Sequence, residues 1–272
     1  MKKSLFNRCF ACSVIAAIGT VIIATDARSA VIFTETAGNA FYDSGWSSGS
    51  SQPGNFSWVV TTNVTNPGYA GHFIGDSTNL SGGSSGGNVN TVGRSLGMYG
   101  SVGGGGFGEA EAVGLLKDGA GNNASLSVGQ TLALDIAVNF RNGFKGVAMR
   151  DSGNAELFTF NIGGDDYSVL NASTGNGSIG NAYSNNTVFR IAMNQTSAGG
   201  GTWEITRSGG ASDFDTGNYS GVISNFKLYV SQTGVGSEND LMANNISVVP
   251  EPGSAGLLLV GSWLLTVFRR RR

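Results

Sequence analysis

Between Thr131 and Phe140 every second residue is apolar. Leu132, Leu134, Ile136, Val138 and Phe140 fall on one face, with Thr131, Ala133, Asp135, Ala137 and Asn139 on the other. Side chains alternate across a strand, whereas a helix would scatter this spacing around its circumference, so the segment reads as a half-buried strand. The same alternation recurs in Phe56, Trp58 and Val60, in Phe158, Phe160 and Ile162, in Trp203 and Ile205, and in Phe226, Leu228 and Val230. Weaker strands are expected at Val31 to Thr36, His72 to Ile74, Leu96 to Tyr99, Ala110 to Leu115, Val147 to Arg150, Val188 to Met193 and Ile246 to Val249. About twelve short strands bounded by turn residues predict an all-β chain folded as a two-sheet antiparallel β-sandwich. Glycine, 44 of 272 residues, supplies the turns, as in Asp118-Gly119, Asn142-Gly143, Asn176-Gly177 and the runs 81–87 and 103–106. Such a composition excludes long helices and coiled coils, and an apolar content of 40% is enough to close a core.

The two ends read as addresses rather than fold. Lys2, Lys3 and Arg8, an apolar run from Cys9 to Ala24 and then small residues have the layout of a secretory signal peptide over 1–27, with cleavage after Ala27. The β-sandwich is expected to occupy 28–248 as one domain. Both cysteines, Cys9 and Cys12, lie in the leader, so the exported body has no thiol and no disulfide. At the other end Pro250, Glu251 and Pro252 precede an uncharged stretch, 253–268, and Arg269, Arg270, Arg271 and Arg272. As a helix that stretch covers roughly 24 Å at ~1.5 Å per residue, and snorkelling arginines help it match the hydrocarbon layer. The arginines stay cytoplasmic and the body outside, the topology that the leader also implies.

Pro-Glu-Pro, a short apolar helix and a terminal arginine cluster, in that order over 249–272, resemble the PEP-CTERM sorting signal of Gram-negative bacteria. The resemblance implies export across the inner membrane through the Sec translocon, transient anchoring by the helix, and recognition by an exosortase at Pro250, Glu251 and Pro252. The product would then lie at the cell surface or in the extracellular matrix. The segments around Asn66 to Gly71, Asn88 to Ser95 and Ser127 to Thr131 resemble secreted bacterial jelly-roll modules of the concanavalin A-like kind, which implies carbohydrate contact in some members and structural service in others.

Without its two ends the body keeps 9 basic and 16 acidic residues, a net charge near −7. An acidic body with no basic stripe excludes nucleic acid as a partner. Its sole histidine, His72, opens an expected strand, and the exported chain has no Cys nucleophile and no His/Cys zinc set. Glu109 and Glu111 fall on one face of a strand, the arrangement of an acid and a nucleophile in a glycan-cleaving enzyme. The concanavalin A-like glucanases continue that run with further acids, which Glu109-Ala110-Glu111-Ala112-Val113 lacks. Asp165-Asp166 and Glu238-Asn239-Asp240 offer hard oxygen ligands that calcium accepts, without the spacing of a known calcium loop. Trp58 and Trp203 alternate with polar residues and read as core. Trp46, Tyr69 and Tyr99 are the candidate glycan contacts, with Tyr167 and Tyr183 also near strand ends.

The expectation is a non-catalytic surface or matrix protein that associates with exopolysaccharide, with no catalytic residue and no resident metal. The alternatives are a glycan-cleaving enzyme using Glu109 and Glu111, or a protein that assembles with itself through sheet edges.

Overall fold

The computed structural model describes residues 32–250 apart from 52, 81–85, 172–178, 180 and 181. The leader 1–27, Glu251, Pro252, the stretch 253–268 and Arg269 to Arg272 lie outside the described residues. Among the described residues no helix is long and apolar enough to cross a membrane.

Fourteen strands follow one another: β1 (Phe33–Glu35), β2 (Phe56–Thr65), β3 (Tyr69–Gly75), β4 (Ser95–Ser101), β5 (Phe107–Leu116), β6 (Gln130–Val138), β7 (Phe144–Arg150), β8 (Glu156–Gly163), β9 (Asp166–Leu170), β10 (Thr187–Ser197), β11 (Gly200–Ser208), β12 (Asp213–Ser220), β13 (Asn225–Ser231) and β14 (Leu241–Pro250). One sheet has the order β12-β11-β10-β6-β14-β4-β3, with β1 also paired to β14. The other has the order β2-β5-β13-β7-β8-β9. All ladders between these strands are antiparallel, as the alternation predicts. Leu132, Leu134 and Ile136 of β6 and Phe189, Ile191 and Met193 of β10 face Val147, Met149, Phe158, Phe160, Phe226 and Leu228 of the other sheet in one core.

Three departures from the sequence reading have clear causes. Phe140 does not continue the inward face of β6, because the strand ends at Val138 and Phe140 stands 39% exposed in the following loop. The opposite face of β6 is covered rather than solvated. Ala137 packs there with Leu80 and Val89, from the connection between β3 and β4, and with Met242. β12, a sheet edge, and β9, only five residues long with just Tyr167 and Val169 buried, escape the pattern. β12 buries only Tyr219, so it carries no period for a sequence to display.

Glycine also serves inside strands, not only in turns. Phe73 of β3 stands directly opposite Gly97 of β4, and Tyr99 of β4 opposite Gly71 of β3. Each ring lies over the glycine across from it: a Cβ on Gly71 would come within 2.7 Å of the Tyr99 Cζ, and one on Gly97 within 2.5 Å of the Phe73 Cε2. A missing side chain on one strand thus makes room for a large one on the next. β14 runs on to Pro250, which pairs with Gln130, so the sandwich extends two residues past the expected boundary at 248.

Candidate functional site

The antiparallel register sorts the loops to two ends. Leu241 lies beside Val138 at one end of β14 and Pro250 beside Gln130 at the other, about 30 Å away at ~3.4 Å per residue. Phe33 pairs with Val248, so the first described strand begins at the Pro250 end. Among the described residues, five of the six exposed aromatic side chains, Tyr69, Phe140, Phe144, Tyr183 and Phe214, sit at the opposite end, and Phe41 lies elsewhere. Burial normally removes such side chains from water, so that end is the candidate contact surface.

A pocket of about 380 Å³ opens there, lined by Tyr69, Tyr99, Ser101, Thr233, Gly234, Gly236, Ser237 and Asp240. The Tyr69 and Tyr99 rings, 6.0 Å apart and inclined at 52°, are its aromatic part, and Phe73 lies behind Tyr99 at 6.2 Å. Pairing of β3 with β4 brings these rings together, and Gly71 gives Tyr99 its place. The chain after β13 binds the end of β4. Thr233 donates its amide to the Gly100 carbonyl (2.8 Å) and accepts from the Val102 amide (3.2 Å), while its hydroxyl donates to Gly100 (3.1 Å).

Asp240 closes the pocket at the start of β14 and is only 7% exposed. Its carboxyl makes no hydrogen bond or close ion pair with any described residue. Burial pushes it up to about 7; Lys145 opposes that rise and Glu238 adds to it. Lys145, fully buried, is brought down to about 7 by desolvation, although Asp240 favours its charge. Its Nζ donates to the carbonyls of Phe140 (2.7 Å) and Asn239 (2.9 Å), so it ties the loop after β6 to the turn before β14. The Phe140 amide donates to the Glu238 carbonyl across the same junction (3.0 Å). Beyond it lies a second hollow of about 350 Å³, lined by Phe140, Arg141, Asn142, Asp165 and Tyr183, with the Arg141 guanidinium 5.5 Å from the Tyr183 ring centre.

Of the three candidate glycan contacts, the fold joins Tyr69 and Tyr99 and removes Trp46. Trp46 is 5% exposed, edge-on to Trp58 (5.1 Å) and to His72 (5.3 Å), and belongs to the core. The preceding 3-10 turn, Ala40–Tyr42, folds this segment inward, and the Tyr42 hydroxyl accepts a hydrogen bond from the Trp58 indole (2.7 Å). His72 sits within β3, where its Nε2 donates to the Glu111 carbonyl of the other sheet (3.0 Å) and burial lowers its proton affinity. It is a link between sheets.

Glu109 and Glu111 do share a face of β5, but neither lines the two hollows at the aromatic end. Glu111 is held by Lys227 at 3.0 Å, and Lys227 also approaches Glu156 at 3.8 Å. Asp165 belongs to a two-residue hairpin turn with Gly164, both at positive φ, and the Asp166 carboxylate accepts from the Tyr167 amide (2.8 Å). Glu238 and Asn239 form part of a 3-10 turn. Among the described residues no three His, Cys, Asp or Glu side chains converge as a metal site.

Sequence reasoning named Asp240 only as an oxygen ligand and overlooked Lys145. The signal for Lys145 was present, since it falls in phase with Val147 and Met149 on the apolar face of β7. Nothing local distinguished Thr233 or Ser101.

No protein-family model and no curated protein matches this chain. Comparison with solved structures gives distant matches. The globular domain of T. cruzi calreticulin is 7% identical, with 89% of this chain and 100% of that one covered and a TM-score of 0.40. The alginate lyase AlgAT5 from polysaccharide lyase family 7 is 17% identical, with coverages of 69% and 80% and a TM-score of 0.35. A botulinum neurotoxin type C structure, described for its interaction with two ganglioside molecules, is 11% identical, with coverages of 71% and 46% and a TM-score of 0.37. The chain spans 44% of the botulinum neurotoxin serotype D binding domain.

Proposed function

We propose that this chain is a secreted, non-catalytic glycan-binding protein of jelly-roll type, working at the cell surface or in the extracellular matrix of a Gram-negative bacterium without a resident cofactor. One observation carries the reading: exposed aromatic side chains and a pocket with a desolvated carboxyl gather at the end of the sandwich away from Pro250. Aromatic faces cover the apolar faces of sugar rings, while acceptors such as Asp240 and the hydroxyls beside it take sugar O–H donors. The Sec translocon exports the chain, and an exosortase then cuts near Pro250, Glu251 and Pro252. Because the chain leaves the sandwich at Pro250, a body still attached to the membrane holds its aromatic end outward, toward exopolysaccharide. The ion pair between Glu111 and Lys227 on an open strand face favours binding over cleavage.

The test is binding of the protein purified from its own host to a panel of polysaccharides, compared with a Tyr69→Ala/Tyr99→Ala variant. Binding that the variant loses by tenfold or more supports the reading. Absence of binding across the panel, or binding that ignores both substitutions, refutes it.

A further inference from the structure

Within the glycan-binding reading, on which this inference rests, we propose that the pocket of Tyr69, Tyr99 and Asp240 selects an amino sugar carrying a free ammonium group. The first ground is the carboxyl itself. Asp240 is more than nine-tenths buried, lines the pocket, and has no hydrogen-bond or close ion-pair partner among the described residues. Its oxygens are not among the fully enclosed side-chain atoms that lack a partner, so they open on the pocket, where an ammonium donor from a ligand forms a charge-assisted hydrogen bond. Second, the two tyrosine rings at 6.0 Å offer the faces against which a cation is also held.

The charges around Asp240 agree. Glu238, in the turn before β14, adds negative potential; burial pushes Asp240 up to about 7, so its carboxyl is partly ionised at that pH and a bound ammonium favours the charged form. Lys145, from β7, is the one opposing group, but its Nζ is committed to the Phe140 and Asn239 carbonyls and desolvation brings it down to about 7. Near neutral pH its charge is therefore partial. The surrounding body is itself near −7. A uronic acid, which would set a second carboxylate beside Asp240, is rejected by the same field.

The experiment is calorimetric titration of the full chain at pH 7 with three oligosaccharides of equal length: glucosamine, N-acetylglucosamine and glucose. The expected result is at least tenfold tighter binding of the free-amine oligomer, with that preference abolished in Asp240→Asn and the weaker binding of the other two retained. Equal affinity for all three overturns the amino-sugar proposal and leaves the glycan-binding reading standing. No binding of any oligomer counts against both. A preference that survives in Asp240→Asn comes from the net charge of the body and likewise overturns the proposal. Should Asp240→Asn fail to fold, the three-ligand comparison is repeated on wild-type protein at 20 and 300 mM salt. Preference lost at the higher salt again refutes selection by a buried carboxyl, since screening acts mainly on exposed charges.

Discussion

Gly114 sits in the middle of β5 with a backbone that any L-residue can adopt, so replacing it by alanine separates two opposing effects. Alanine restricts the unfolded chain, which by itself stabilises a protein by about 0.4–1 kcal/mol. In the fold, however, a Cβ at this position would lie 2.5 Å from the Phe226 Cε1 and 2.9 Å from the Phe56 Cε2, and closer still to the Phe226 Cζ. Ordinary contact needs 3.4–4 Å, so the rings must retreat by roughly 1 Å. They have nowhere to go. Phe226 is fully buried, stacked 6.0 Å from Phe56 and edge-on 5.6 Å from Trp58, and Phe56 stacks in turn on Phe33 at 4.9 Å. Overpacking of this kind costs about 1–3 kcal/mol, so the clash outweighs the entropy gain and Gly114→Ala loses about 1–2 kcal/mol net. Urea unfolding followed by tryptophan fluorescence reads this directly, since Trp46 and Trp58 adjoin the cluster. Phe226→Leu, which withdraws the ring edge, should partly rescue Gly114→Ala, with a favourable coupling of about 1 kcal/mol in a double-mutant cycle. A Gly114→Ala protein as stable as wild type, or two strictly additive substitutions, would refute the claim that glycine is required there by the rings.

Gly71→Ala displaces the partly exposed Tyr99 ring rather than the core, so glycan affinity should fall tenfold or more while the urea midpoint changes little; a matching loss of stability would contradict this. The Asp240 carboxyl is raised above its unfolded value of 3.8, so the native state holds its proton more tightly and stability falls as pH rises from about 4 to about 7. Asp240→Asn should remove that fall; Lys145 adds its own rise only above about pH 7, and an identical profile for both proteins over pH 4–7 would exclude the assignment. Glu111→Gln breaks a partly exposed ion pair worth at most about 1 kcal/mol, and polysaccharide chain length should stay unchanged with wild type and variant alike. Intact mass of the protein from its host should correspond to loss of both ends with a cut near Pro250; a mass retaining 253–272 would mean a permanent anchor.

The strands that a reader of the sequence finds are those buried on one face, because burial is what imposes the two-residue period. β6, β8, β11 and β13 announce themselves in this way. β12, at a sheet edge with one buried residue, lacks that imprint, and in the short β9 it rests on Tyr167 and Val169 alone. Trp46 misleads for a related reason: its neighbours Ser44, Gly45, Ser47 and Ser48 look like an exposed loop, and only the inward turn at Ala40–Tyr42 sets its ring against Trp58. Glycine content was legible as turns, but its place opposite Tyr99 and Phe73 was not, because cross-strand pairs depend on register.

Alternation, glycine-bounded segments and charge determined an all-β, acidic body with distinctive ends, since each of these properties belongs to neighbouring residues along the chain. The pocket belongs to no segment. Tyr69 and Tyr99 meet through the pairing of β3 with β4, Thr233 reaches them from the far end of β13, and Asp240 arrives with β14, more than 130 residues after Tyr99. Only the closed sandwich desolvates the Asp240 carboxyl and sets Lys145 behind it, because burial and proximity across such separations exist only once the two sheets have packed.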